Sequence, residues 1–283
     1  MRVLITGAQG QVGRELVPTF AGHDVAAAGH GDLDVTDRQA VLSAVTGHRP
    51  DVVLHAAAWT AVDACESDPD RAYAINALGT RNVAEAARRV GAHLTYFSTD
   101  YVFDGTKPSP YIEWDPPSPR SVYGHSKLAG ELELRGDPGA TIVRISWVCG
   151  QHGSNMVKTI LALARRDEKL AFVNDQRGRP TFAADAARTV HRLVIERRPG
   201  IFHVTNEGEV TWYEFARAVL EEAGLDPARV RPIATADLDP PRPAPRPANS
   251  VLDTAALRLA GLPPLPHYRE SLGRLIAELG ARA

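Results

Sequence analysis

An α/β fold is predicted by this sequence: a doubly wound parallel sheet with a smaller C-terminal α/β lobe. Three observations predict it. Through residue 150, short apolar runs alternate with helix-period segments, the pattern of right-handed crossovers between parallel strands. The run Val52-Val53-Leu54 is apolar throughout, as a strand buried on both faces must be. Directly after the first apolar run, Gly7-Ala8-Gln9-Gly10-Gln11-Val12-Gly13 places three glycines at a regular spacing.

The elements follow in order. Residues 3–6 predict the first strand and 12–20 the first helix. A strand at 24–28 precedes a helix at 37–45 with an acidic first turn. Residues 52–57 predict the buried strand. Residues 70–90 read as one long alanine-rich helix, stopped by Gly91. A strand at 93–98, a helix at 121–134 and a strand at 141–146 complete the sheet. Beyond residue 150 the rhythm changes: helix 155–166, strand 170–173, helix 183–196, strand 201–204. The helix at 212–223 is amphipathic, with Phe215, Val219 and Leu220 on one side. The proline-rich run from Asp239 to Pro247 is neither helix nor central strand and predicts an ordered wall. Short helices at 254–259 and 268–279 follow. These boundaries predict a nucleotide-binding domain over 1–150 and a smaller lobe over 151–283, with the segment near 181–204 returning to the sheet.

Composition narrows the function. With 32 basic and 34 acidic side chains the formal charge is −2, which argues against a nucleic-acid surface. Cys65 and Cys149 form no CxxC, so neither a zinc site nor a disulfide framework is expected. The sequence enters its first strand at once and holds no apolar run of membrane-spanning length; a cytoplasmic protein without a signal peptide is the expectation.

The glycine turn points to a dinucleotide. In strand–turn–helix context it is a Rossmann-type phosphate turn. Gly7 permits the tight turn, Gly10 admits a pyrophosphate against the backbone, and Gly13 lets helix pack on strand. Gln11 and Val12 open the helix, whose N–H groups and dipole face the phosphates. The end of the second strand, Ala28-Gly29-His30-Gly31, offers neither an acid for a ribose hydroxyl nor an arginine for a 2′-phosphate, so NADPH and NADH both stay open. His30 reads as an exposed loop residue. Asp34 and Val35 are candidates for the adenine, while Thr36 or Asp37 caps the next helix.

The chemistry is carried by Thr99, Tyr123 and Lys127. Tyr123 and Lys127 lie one turn apart on a predicted helix, and Thr99 closes the preceding strand at the carboxyl edge where ligands bind. A phenol ordinarily titrates near about 10. A neighbouring ammonium favours its phenolate and tunes it as a proton donor or acceptor.

With these residues the chain resembles the extended short-chain dehydrogenase/reductases and, among them, the dTDP-4-dehydrorhamnose reductase family. The glycine turn and YxxxK are common to the whole superfamily. The narrower likeness lies in Ala56 to Asp63, Glu66 to Pro69, Asn76, Ser98 to Gly105, Tyr123 to Glu131, Arg144 to Val148, Asp175 to Thr181 and Arg246 to Ser250. The resemblance implies NADPH- or NADH-dependent reduction of the C4 ketone of dTDP-4-dehydro-6-deoxy-L-mannose. It implies Tyr123 as proton donor, Lys127 on the nicotinamide ribose and Thr99 on the carbonyl. It places Ala58, Trp59, Thr60 and Phe97 near the cofactor, and Thr60, Val62, Asp100, Trp147 and Asn155 near the sugar. Arg179, Arg246 and Asn249 lie in segments the family uses around the nucleotide. The two arginines read equally as phosphate partners and as solvated loop residues. The resemblance also implies a possible homodimer, bridged in some members by Mg2+; Glu15 matches one such ligand position, but a single carboxylate makes no metal site. Three alternatives stay open: a 4-ketoreductase of another dTDP-deoxysugar, a non-catalytic regulatory subunit on the same fold, and an epimerase or dehydratase.

Overall fold

The computed structural model describes residues 1–166 and 169–280. Strand β1 (Arg2–Thr6) leads through the glycine turn into α1 (Gln11–Thr19). Then come β2 (Asp24–Ala28), α2 (Arg38–His48) and β3 (Val52–His55). Helices α3 (Val62–Ser67) and α4 (Pro69–Tyr73) lead into a π-helical turn (Ala74–Leu78) and α5 (Gly79–Val90). Strand β4 (His93–Thr99), helix α6 (Val122–Glu133) and strand β5 (Thr141–Ile145) follow.

The second half holds β6 (Val148–Cys149), α7 (Met156–Ala164), β7 (Leu170–Val173), β8 (Arg177–Gly178) and β9 (Thr181–Phe182). After these come α8 (Ala183–Ile195), β10 (Gly200–His203), β11 (Val210–Thr211), α9 (Trp212–Glu222) and β12 (Val230–Ile233). Helices α10 (Ala255–Leu259) and α11 (Tyr268–Gly280) finish the described chain.

The main sheet has six strands in the order β10-β5-β4-β3-β1-β2, paired in parallel throughout. Period-2 alternation divides its side chains between two cores. Val3, Ile5, Val52 and Leu54 pack with Leu16 of α1 and Val190 of α8. Leu4, Val53, Leu94 and Tyr96 pack with Val41 of α2 and Val83 of α5. A third core joins α7, α9 and α11 through Val157, Ile160, Phe215, Val219 and Leu272. Strand β10 lies beside β5 in the main sheet, so the chain returns there after building β7 to β9.

The predicted single helix over 70–90 is corrected by the structure. Pro69 starts α4 with Asp68 as its cap, and the coil widens to a π turn around Asn76 before α5 begins. Asn76 is 1% exposed. Its Oδ1 accepts from Trp59 N at 2.8 Å, and its Nδ2 donates to Trp59 O and Ser126 Oγ. The widened turn lets one side chain reach both the segment after β3 and helix α6, a use π turns commonly serve. Helix α3, β12 and the two-residue strands carry no local signal strong enough to predict them.

Candidate active site

A cleft of about 580 Å³ opens at the carboxyl ends of β1, β3, β4 and β5, and Gly10, Val12, Ala58, Phe97, Thr99 and Tyr123 are among its lining. One end is backbone. Gly7 adopts φ 68°, and a Cβ there would lie 2.5 Å from Ala57 N. A Cβ on Gly13 would lie 2.2 Å from Gly7 O. Helix α1 starts at Gly10 with no side-chain cap and no acid in its first turn, so its first N–H groups face the cleft unclaimed by side chains. These glycine cradles and the uncapped helix start fit a dinucleotide pyrophosphate. Gln11 and Val12 line the same end. Gln11 Nε2 donates to Ser154 O at 3.0 Å, and its Oε1 accepts from Asn155 Nδ2.

The floor is β4 against α6. Ser121 caps α6 by accepting from Gly124 N. A Cβ at Gly124 would lie 2.3 Å from Tyr101 O, so only glycine allows this approach. The rotation of α6 is fixed by Glu131, which forms a two-point pair with Arg144 of β5 and accepts from Ser98 Oγ of β4. That orientation turns Tyr123 and Lys127 to the cleft, where they are 7% and 2% exposed.

Burial holds the Tyr123 phenol above its ordinary value, opposed by the Thr99 hydroxyl and reinforced by Asp100 and Tyr101. Burial thus outweighs the expected downward pull of the ammonium. Lys127 Nζ donates to Phe97 O at 2.6 Å and lies 4.1 Å from the centre of the Tyr96 ring. Burial lowers Lys127 to about 7, with Glu131 opposing. Thr99 Oγ1 donates to Asp100 Oδ1 at 3.0 Å and accepts from Tyr101 N. Asp100 is raised to about 6, mainly by burial, with Ser250 and Thr99 opposing. Its Oδ2 is buried with no bonded partner, since Ser250 Oγ donates to Arg177 O.

The other end is made of side chains. Trp147 has φ 46° and stacks on Trp212 with ring centres 3.5 Å apart. It lies so close to β8 that a Cβ on Gly178 would meet its ring at 2.5 Å. Thr60 and Val62 line the same cleft. Arg179 is half-buried and not among the residues lining the cleft, and its buried Nε has no hydrogen-bond partner among the described residues.

Other sequence-predicted residues are placed differently. Arg246 is spent within the fold: Nη1 and Nη2 donate to Asp63 Oδ1 and Oδ2 at 2.9 and 2.8 Å, clamping the proline-rich wall to α3. Asn155 caps α7 and donates to Gly150 O as well as to Gln11, so its polar atoms are committed internally. Asn249 donates to the carbonyls of Lys107 and Ser109, again within the wall. Asp34 accepts from Thr36 N and Oγ1, closing its own turn. Val35 is buried against Gly79, whose added Cβ would meet Val35 Cγ2 at 2.8 Å. Trp59 lies under the Arg71 guanidinium at 4.7 Å, with its backbone held by Asn76. Glu15 lines a different cavity with Asp185 and Glu278, 3.9 Å from His152 Nε2. Among the described residues no group of three His, Cys, Asp or Glu could hold a metal ion.

Several lining residues are missed by sequence reasoning: Gln9, Tyr101, Ser146, Gly153 and Ser154. Gln9, Tyr101 and Ser146 lie inside recognised motifs, a signal available in the sequence. Gly153 and Ser154 reach the cleft only through the chain's path after β6, which no local pattern reports.

Known proteins share this arrangement. A family described as RmlD substrate binding domain matches residues 1–281. dTDP-4-dehydrorhamnose reductase of Streptomyces griseus is 46% identical over 292 residues, spanning 100% of this chain and 95% of that protein. A probable dTDP-4,6-dihydroxy-2-methyloxan-3-one 4-ketoreductase of Streptomyces antibioticus is 44% identical, spanning 96% and 93%. The crystal structure of dTDP-4-dehydrorhamnose reductase from Bacillus anthracis in complex with NADP superposes with a TM-score of 0.94 at 39% identity, covering 98% of this chain and 99% of that one. With a glycine-turn cofactor end, a Thr–Tyr–Lys floor and a full-length match, this chain belongs to the RmlD substrate binding domain family.

Proposed function

We propose that the protein is an NADPH-dependent reductase that converts the C4 ketone of dTDP-4-dehydro-6-deoxy-L-mannose to the alcohol of dTDP-L-rhamnose. The observation that carries this reading is the shared cleft of the glycine turn, Thr99, Tyr123 and Lys127. Gly7, Gly10, Gln11, Val12 and Gly13, with Ala58 and Phe97, would hold NADPH, which would supply the hydride when bound. Tyr123 enters the step protonated, since burial raises its pKa, and gives that proton to the C4 oxygen. Thr99 turns its hydroxyl from Asp100 to the carbonyl, where negative charge develops. Lys127 would hold the nicotinamide ribose and would offer positive charge to the tyrosinate left behind. Thr60, Val62, Asp100 and Trp147 receive the sugar, and Arg179, whose Nε is unpartnered, takes the nucleotide. Arg246 acts on the substrate through the wall it fastens to Asp63.

The test is loss of absorbance at 340 nm with authentic substrate and either reduced cofactor. Tyr123→Phe is expected to lower kcat by about 10³-fold, within the range for a lost general acid. No reduction with either cofactor would remove the assignment. A second reading, 4-ketoreduction of another dTDP-deoxysugar, is favoured by the 44% identity to the Streptomyces antibioticus ketoreductase. It predicts higher kcat/KM on that sugar with the same dependence on Tyr123.

Two further features belong to this reading. Among the described residues no helix is long and apolar enough to cross a membrane, and a nucleotide-sugar substrate suits a cytoplasmic place. A homodimer is expected by the family likeness; a single 30.6 kDa species in sedimentation would exclude it.

A further inference from the structure

We propose that Tyr96 is a positioning residue for Lys127: the face of its buried ring is the seat on which the ammonium rests. The inference rests on the assignment of Lys127 to catalysis. Lys127 Nζ has three N–H donors, and Phe97 O at 2.6 Å is its one hydrogen-bond acceptor among the described residues. The rest of the charge faces the Tyr96 ring at 4.1 Å. Tyr96 is 0% exposed, and a cation over a ring is held more strongly when both are out of water.

The ring is itself held in place. The Tyr96 hydroxyl lies 3.2 Å from Lys127 O and 3.5 Å from Asn76 O. On its flank the His55 ring packs with centres 5.7 Å apart. His55 is fixed by a directional chain. The Thr80 hydroxyl donates to Asn76 O at 2.7 Å, so its oxygen accepts from His55 Nε2–H. His55 Nδ1 is therefore the acceptor, and the Thr6 hydroxyl donates to it at 2.7 Å. That chain keeps an uncharged imidazole beside Tyr96, and burial with Lys127 nearby lowers His55 to about 3. The titratable groups around the seat are His55 on β3, Glu131 and Tyr123 on α6, and Tyr96 itself on β4. Glu131 is committed to Arg144, which leaves the π face as the close electron-rich neighbour of the ammonium besides Phe97 O.

The test grades the electron density of the ring at nearly constant size. Position 96 is occupied in turn by phenylalanine and its 4-fluoro, 3,5-difluoro and pentafluoro analogues, with Lys127→Met as reference. Three quantities are read: the pH profile of kcat, NADP+ affinity by titration, and Tm. Tyr96→Phe keeps the ring and should stay within about threefold of the parent kcat. Successive fluorination should lower kcat by about tenfold in total, move the high-pH limb to lower pH, and weaken NADP+ binding in the same order. The limb moves that way because an ammonium robbed of its π partner releases its proton sooner. A flat series, or one in which only Tm changes, overturns the proposal. So does a Tyr96→Phe variant as impaired as the pentafluoro protein, which would assign the effect to the hydroxyl. If Lys127→Met retains turnover, the catalytic role of Lys127 itself fails. If Lys127→Met is inactive while the series is flat, only the role of Tyr96 fails.

Discussion

The two ends of the cleft are built by different means. The cofactor end is backbone: a tight turn, a helix start, and glycines whose missing Cβ atoms leave the space. The proposed sugar end is side chain, drawn from the segment after β3, the start of α3 and the segment after β5, with β8 and the proline-rich wall packed behind. Two cations show the contrast. Lys127, on the floor shared by both ends, forms no ion pair within contact distance among the described residues and is kept in the cleft by a carbonyl and a ring. Arg246 is neutralised by two bonds to Asp63 and serves as a fastener. A charge in a ligand-binding segment is thus no guide to the ligand until its internal partners are known.

The sharpest break of this comparison is Gly13→Ala. The new Cβ would stand 2.2 Å from Gly7 O, both backbone positions, so α1 must move. A displacement near 1 Å can cost about a hundredfold, and NADPH affinity by fluorescence titration should fall by about that factor. A fall of less than about threefold would show that the backbone end is more yielding than its packing implies.

Next in size is the fastener. Arg246→Ala and Asp63→Asn should each raise the sugar-nucleotide KM by about tenfold while leaving NADPH affinity unchanged, with kcat nearly preserved. Their effects should be non-additive in the double variant, since both release the same wall. Equal weakening of both ligands would erase the division between the two ends.

The smallest effect concerns Asp100. Its folded pKa, about 6, lies above the ordinary aspartate value of 3.8, so between those values the folded protein binds more protons than the unfolded chain. Stability contributed by this group is therefore present below pH 3.8 and lost as pH rises toward 6. Asp100→Asn should accordingly raise Tm at pH 7.5 by a few degrees, about 1 kcal/mol, and leave Tm at pH 4 nearly unchanged. An equal rise at both pH values would point to packing rather than charge.

This division also explains what the sequence makes legible. The order β1 to β5, the glycine turn and the Tyr123–Lys127 pair are local patterns, and local patterns survive in one dimension. The π turn is hidden because alanine-rich helix propensity looks continuous through Ala74–Leu78; its cause is Asn76 bonding to Trp59, seventeen residues back. The fate of Arg246 depends on Asp63, 183 positions away, and that of Asn155 on Gln11, 144 away. Lys127 has the expected address, but the partners of its ammonium, Phe97 O and the Tyr96 ring, lie on β4, thirty residues back, where no local pattern reports them. Asp34 also does local work: a short acid two residues before Thr36 closes its own turn through Oδ1.

The Trp147–Trp212 stack gives the protein a built-in optical reporter. The chain has four tryptophans; of the stacked pair Trp147 lines the cleft, while Trp59 lies under the Arg71 guanidinium. Closely stacked indoles perturb each other's emission, so a sugar that parts the pair changes the intrinsic fluorescence without any label. Reduced nicotinamide absorbs where tryptophan emits, which makes occupancy of the other end visible as quenching with sensitised blue emission. One excitation wavelength therefore follows both ligands, and their order of arrival can be read in a single stopped-flow trace.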